Sequence, residues 1–156
     1  MTRMPSAPPT RSISFKLERW HRLGIYACGL LLLLSGVAWL VLHDFLRPVN
    51  QFGESINPLE PWAMKFHGAA AMLALFLVGG ALHLHIRRAI RAGRNLVTGW
   101  ALVATLSFLT LTGYGLYYVA GESDRPVWSL LHWTVGCAAA LLFVVHVLVG
   151  RRSVRA

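Results

Sequence analysis

From Leu23 onward the chain sets long uncharged apolar runs between short polar segments. Four runs reach the ~20 residues needed to cross the hydrocarbon of a bilayer: Leu23 to Leu42, Phe66 to Ile86, Leu96 to Ala120 and Val127 to Gly150. In lipid every backbone N–H and C=O must be paired within its own segment, and the chain shows none of the short alternating strands of a barrel. The pattern therefore predicts an all-α integral membrane four-helix bundle. The first run follows basic residues, as a secretory signal does, yet it is long and has no small-x-small cleavage site before His43 and Asp44, so it is expected to remain as a helix. The longest connection, His43 to Lys65, carries Pro48, Gly53, Pro58 and Pro61 and reads as irregular, either a cap over the helix ends or a surface for a partner. With Pro5, Pro8 and Pro9, the N-terminal segment 1–18 reads as a disordered tail, 19–150 as the four-helix domain and 151–156 as a basic tail.

Composition supports a lipid solvent, because 56% of residues are hydrophobic and only 13% charged. A net charge of +9 would elsewhere suggest nucleic acid. Here the basic residues form short clusters between apolar runs, with no aromatic-interleaved basic surface, and nucleic-acid binding is set aside. Twelve of the 15 basic residues, Arg3, Arg11, Lys16, Arg19, Arg22, Arg87, Arg88, Arg91, Arg94, Arg151, Arg152 and Arg155, fall on one side of the predicted bundle. The other side has Arg47, Lys65 and Arg125 with the acids Asp44, Glu54, Glu60, Glu122 and Asp124. The positive-inside rule then predicts that both termini are cytoplasmic. All six tryptophans lie near predicted span ends, as interfacial anchors do. Cys28 and Cys137 sit in apolar runs with no zinc-site spacing around them.

Histidine carries the candidate chemistry. Ionisable residues inside a membrane are costly and face the bundle interior when they are functional. Five of the seven histidines, His67, His83, His85, His132 and His146, fall within spans, and His21 and His43 flank the first. His132 and His146 lie 14 residues apart on one predicted helix, so they share a face roughly 21 Å apart along the axis. A haem iron held by two imidazoles needs one histidine from each of two facing helices at matching depth, and the resulting centre suits electron transfer. At the non-cytoplasmic depth the partner of His132 is His67. At the cytoplasmic depth His146 has three candidate partners, His21, His83 and His85. Helical phase puts His85, 18 residues after His67, on the face of His67 and turns His83 away. Gly68 and Gly136, beside His67 and one turn after His132, leave room for a flat macrocycle and equally suit close helix packing. The third span has no histidine and reads as scaffold, with Thr98, Thr105 and Thr112 along one face, turned inward or bonding back to their own helix. Lys65, Arg47 and Arg125 at one side, and Arg19, Arg22 and Arg151 at the other, are placed to meet haem propionates and equally to set topology.

From Arg19 to Gly150 the chain resembles the dihaem cytochrome b561-like membrane subunits, the group of the formate dehydrogenase gamma subunit and the nickel-iron hydrogenase cytochrome b subunit. The resemblance rests on Arg19-Trp20-His21, Ser35-Gly36, Phe66-His67-Gly68, Thr112-Gly113, and Leu131-His132 with His146. It implies two haem b groups, one held by His67 and His132 and the other, cytoplasmic one by His21 and His146. It also implies a bacterial-type inner membrane location, a redox-enzyme or cytochrome partner subunit, and quinone exchange near the cytoplasmic haem, for which Arg94 and Asn95 are the candidate residues. The chain departs from the group in its shortness and in carrying both His83 and His85.

The expected function is thus electron transfer between a redox partner and the quinone pool. Two other readings stand beside it: a stand-alone quinol-linked dihaem oxidoreductase, and a haem-free helical scaffold or transporter. No nucleophile constellation, acid/base pair or phosphate loop argues for catalysis by side chains alone.

Overall fold

The structure is a computed structural model and describes residues 18–152, the side chains of His83 and Leu84 excepted. Residues 1–17 of the expected disordered tail 1–18, and the last residues of the basic tail, 153–156, lie outside the described residues.

All four predicted spans are helices, each long and apolar enough to cross a membrane. They are α1 (Arg19–Asp44), α2 (Glu60–Ala81), α4 (Leu96–Tyr118) and α5 (Arg125–Arg152). After α2 the chain continues through a π turn, Leu82–Ile86, and a short α3, Arg87–Arg91. At 26 and 28 residues, α1 and α5 overrun the apolar runs that announced them. Their lengths of ~39 and ~42 Å match the full bilayer with its headgroups rather than the hydrocarbon alone.

The connection between α1 and α2 is shorter and more regular than its prolines suggested. It contains an antiparallel ladder of β1 (Val49–Asn50) and β2 (Gly53–Glu54), with Val49 opposite Glu54 and Asn50 opposite Gly53. Gly53 allows the reversal with a φ of +105°. Pro61 falls in the first turn of α2, where its missing N–H costs nothing. Glu60 joins the ends of the two helices: the Nδ1 of His43, at the end of α1, donates to Glu60 Oε2 at 3.0 Å. Arg47 Nε donates to the His43 carbonyl at 2.7 Å, and Trp39 stacks on the His43 ring.

Packing divides the bundle into two antiparallel pairs, α1 on α2 and α4 on α5, joined by a smaller contact of α1 with α5. Small residues let the backbones approach. Cys28, Ala63, Ala70 and Ala81 are buried in the first pair. In the second, a Cβ on Gly115 would lie 2.3 Å from the Trp128 ring, so only glycine fits. The parallel helices α2 and α5 barely touch. Among the described residues no large side chain is fully buried.

Candidate functional site

Histidines of α2 and of the π turn after it face histidines of α5. The His67 and His132 rings have centroids 6.2 Å apart and planes inclined at 73°. Nearer the ends of the bundle that carry Arg19 and Arg152, His85 and His146 have centroids 6.4 Å apart at 87°. Two imidazole nitrogens sharing one first-row metal at ~2.0–2.1 Å each, with each nitrogen about 1.1 Å from its ring centre, place the centroids ~6.2–6.4 Å apart. Both pairs have the separation of a metal-bridged pair, although they join helices that barely pack.

Each pair offers two donors and no more. Among the described residues no group of three or more His, Cys, Asp or Glu is placed to hold an ion. A protein-only zinc site takes three or four ligands, so these pairs do not make one. They fit a metal chelate that brings its own in-plane donors and leaves two axial positions open.

The flanking helices grip three of the four rings. Ser35 Oγ of α1 lies 3.0 Å from His67 Nδ1. Thr112 Oγ1 of α4 lies 2.8 Å from His132 Nδ1, and Thr98 Oγ1, also of α4, lies 2.8 Å from His146 Nδ1. A glycine follows each hydroxyl residue. A Cβ on Gly36 would lie 3.4 Å from His67 Cε1, on Gly113 3.3 Å from His132 Cε1, and on Gly99 3.7 Å from His146 Cε1.

His21, which the family resemblance pairs with His146, makes its contacts elsewhere in the structure. His21 is buried against α2, with its Nε2 2.7 Å from the Leu77 carbonyl. A Cβ on Gly80 would lie 2.9 Å from His21 Cε1, so that glycine makes room for the ring. His85, the residue chosen by helical phase, faces His146 instead, and it does so from the π turn rather than from a regular helix. The side chain of His83 lies outside the described residues.

The other expected site residues fall in mixed positions. A Cβ on Gly68 would meet nothing of the chain within 4 Å, and one on Gly136 would meet only Leu109, at 3.9 Å. The glycines that touch imidazoles are therefore Gly36, Gly99, Gly113 and Gly80. Asn95, in a left-handed conformation before α4, donates through Nδ2 to the His146 carbonyl at 3.1 Å, so it is engaged with the histidine helix itself. Arg94 bonds through its backbone N–H to the Ala89 carbonyl. The threonine face of α4 turned out to have two roles, because Thr105 bonds back to Ala101 while Thr98 and Thr112 reach histidines. Their role was legible in one signal not used, that Thr98 and Thr112 have the same 14-residue separation as His132 and His146, as an antiparallel register requires.

Comparison of the chain with protein-family models, with curated proteins and with solved structures gives no match.

Proposed function

We propose that this protein is a dihaem b-type membrane cytochrome that transfers electrons between a redox partner and the membrane quinone pool. The observation that carries the reading is the pair of facing imidazole couples, at 6.2 and 6.4 Å, between two helices that barely pack. His67 and His132 would hold one haem and His85 and His146 the other. Bound haem would supply reversible one-electron chemistry, and held by two imidazoles it would suit electron transfer rather than oxygen binding. The chain's own residues set the ligand depth, since both couples share α5 at roughly 21 Å spacing, one toward each surface of the membrane.

Orientation follows the charge asymmetry: the clusters at Arg19, Arg87 to Arg94 and Arg151 place both termini and the His85–His146 couple on the cytoplasmic side of an inner membrane. A quinone would meet the bundle near that couple, around Arg94, with Asn95 engaged in holding α5. The hairpin loop on the opposite side is the surface for a partner subunit.

Haem extraction and reduced-minus-oxidised spectra of the purified chain test the assignment. Wild type should carry two haems per chain with sharp low-spin bands. Single alanine substitutions at His67, His132, His85 and His146 should each leave about one, and His21→Ala should retain both. A colourless wild type sinks the reading, and loss of a haem in His21→Ala with retention in His85→Ala restores the His21 assignment.

A further inference from the structure

The hydroxyl groups beside the imidazoles do more than fill space. We propose that Ser35, Thr112 and Thr98 are positioning residues that fix the tautomer of His67, His132 and His146, placing the proton on Nδ1 and leaving Nε2 with a free lone pair facing the gap. What that lone pair binds rests on the two-haem reading, whereas the tautomer itself does not.

The assignment comes from counting protons. A hydroxyl has one hydrogen to donate and two lone pairs that accept. Ser35 Oγ–H donates to the Leu31 carbonyl at 2.6 Å, so toward His67 its oxygen can only accept. The His67 Nδ1 must then carry the hydrogen. Thr112 repeats the arrangement: its Oγ1–H donates to the Phe108 carbonyl at 2.9 Å, and the oxygen accepts from His132 Nδ1–H at 2.8 Å. Thr98 directs its hydrogen to Asn95 Oδ1 and accepts from His146 Nδ1–H. The Asn95 amide gives one hydrogen to the His146 carbonyl at 3.1 Å and has its second near the same Nδ1 at 3.2 Å, but the shorter Thr98 contact at 2.8 Å, made by an oxygen whose hydrogen is already committed, requires the proton on Nδ1. A neutral imidazole carries a single N–H, so in all three rings Nε2 is the unprotonated nitrogen.

The glycine after each hydroxyl completes the device. The hydroxyl holds Nδ1 while the absent side chain of Gly36, Gly113 or Gly99 leaves space for Cε1 of the same ring. A Ser/Thr-Gly dipeptide on a neighbouring helix thus sets both the tautomer and the rotation of a histidine, once from α1 and twice from α4. This is the work of α4, the span without a histidine. The two couples are not held alike. Both members of His67–His132 are fixed, but among the described residues the His85 ring makes no hydrogen bond, so its couple is fixed from the His146 side alone.

A hydrogen bond from Nδ1–H to an oxygen increases the donor strength of Nε2 and favours the more highly charged metal. Removing it should raise the reduction potential of the haem on that ligand and leave the other haem unchanged. The test combines redox titration of the protein as purified with nitrogen NMR of the haem-depleted full chain labelled with ¹⁵N-histidine, because a metal on Nε2 would by itself hold the proton on Nδ1. Wild type should show His67, His132 and His146 protonated at Nδ1, beside His43, whose Nδ1–H meets Glu60. In Thr112→Val one of them should change tautomer or exchange between the two, and one midpoint potential should shift upward, while Thr112→Ser should restore both. Should Thr112→Val fail to accumulate, Ser35→Ala makes the same test on the opposite member of the couple. Two haems with unmoved potentials and unmoved tautomers in these variants overturn the positioning role and leave the haem assignment intact. A wild type without haem as purified overturns the haem assignment, and its nitrogen spectrum still decides the tautomer: Nδ1–H on His67, His132 and His146 supports the positioning role and its absence from them overturns it.

Discussion

Single atoms decide the site's geometry. Gly115 is the tightest case, because a Cβ there would sit 2.3 Å from the Trp128 ring, inside any allowed contact. Gly115→Ala must push the indole off its seat on α4, and overpacking of this kind costs typically ~1–3 kcal/mol. Gly136→Ala, which meets only Leu109 at 3.9 Å, should be near neutral. Thermal unfolding in detergent checks the pair, and equal melting temperatures would contradict the packing described. Glu60 is a second such residue, buried at 6% exposure and receiving hydrogen bonds from His43 and from the Asn57 backbone. Glu60→Ala leaves both donors without their acceptor and should lower stability by ~1–3 kcal/mol in the same assay.

At the scale of elements the π turn is the informative feature. A π turn is one residue wider than an α turn and occurs mainly at functional positions. Leu82–Ile86 is where α2 leaves regular geometry, and His85 meets His146 from within it. Deleting Leu82 should close the turn to an α-helix and move His85 off its present position facing His146. On the proposed two-haem reading, the expected result is loss of a haem between His85 and His146 with retention of one between His67 and His132, read as half the wild-type haem content and a single redox transition. Retention of both would show that the turn does not set the position of His85.

For the molecule as a whole, the two helix pairs are joined by little beyond the contact of α1 with α5. If haem fills the space between them, it is also the main cohesion across the bundle. Its removal should therefore lower the unfolding temperature and open α2 and α5 to proteolysis, while each antiparallel pair persists. A haem-depleted sample with wild-type protease resistance would argue against that role. Orientation is tested at the same scale: an impermeant thiol reagent should label Glu54→Cys in intact cells and Arg91→Cys only after permeabilisation. The reverse pattern would invert the topology.

Apolar run length alone determined four helices long and apolar enough to cross lipid, because a bilayer demands about the same span of every transmembrane segment and no tertiary contact can relax that demand. The 14-residue step between His132 and His146 likewise put two histidines on one face of one rod, since helical phase is local. Partner choice across the gap was another matter. Phase favoured His85 and the family resemblance favoured His21. What supports the proposed choice of His85 is a buried contact of His21 with the Leu77 carbonyl, the space left by Gly80, and a widened turn that carries His85 to His146. Such features depend on how far one helix slides and turns against another, a quantity that sums many small contacts distant in the chain. The Ser/Thr-Gly supports of the rings became visible for the same reason: only the antiparallel register of α4 on α5, and of α1 on α2, brings a hydroxyl to within hydrogen-bonding distance of an imidazole on a different helix.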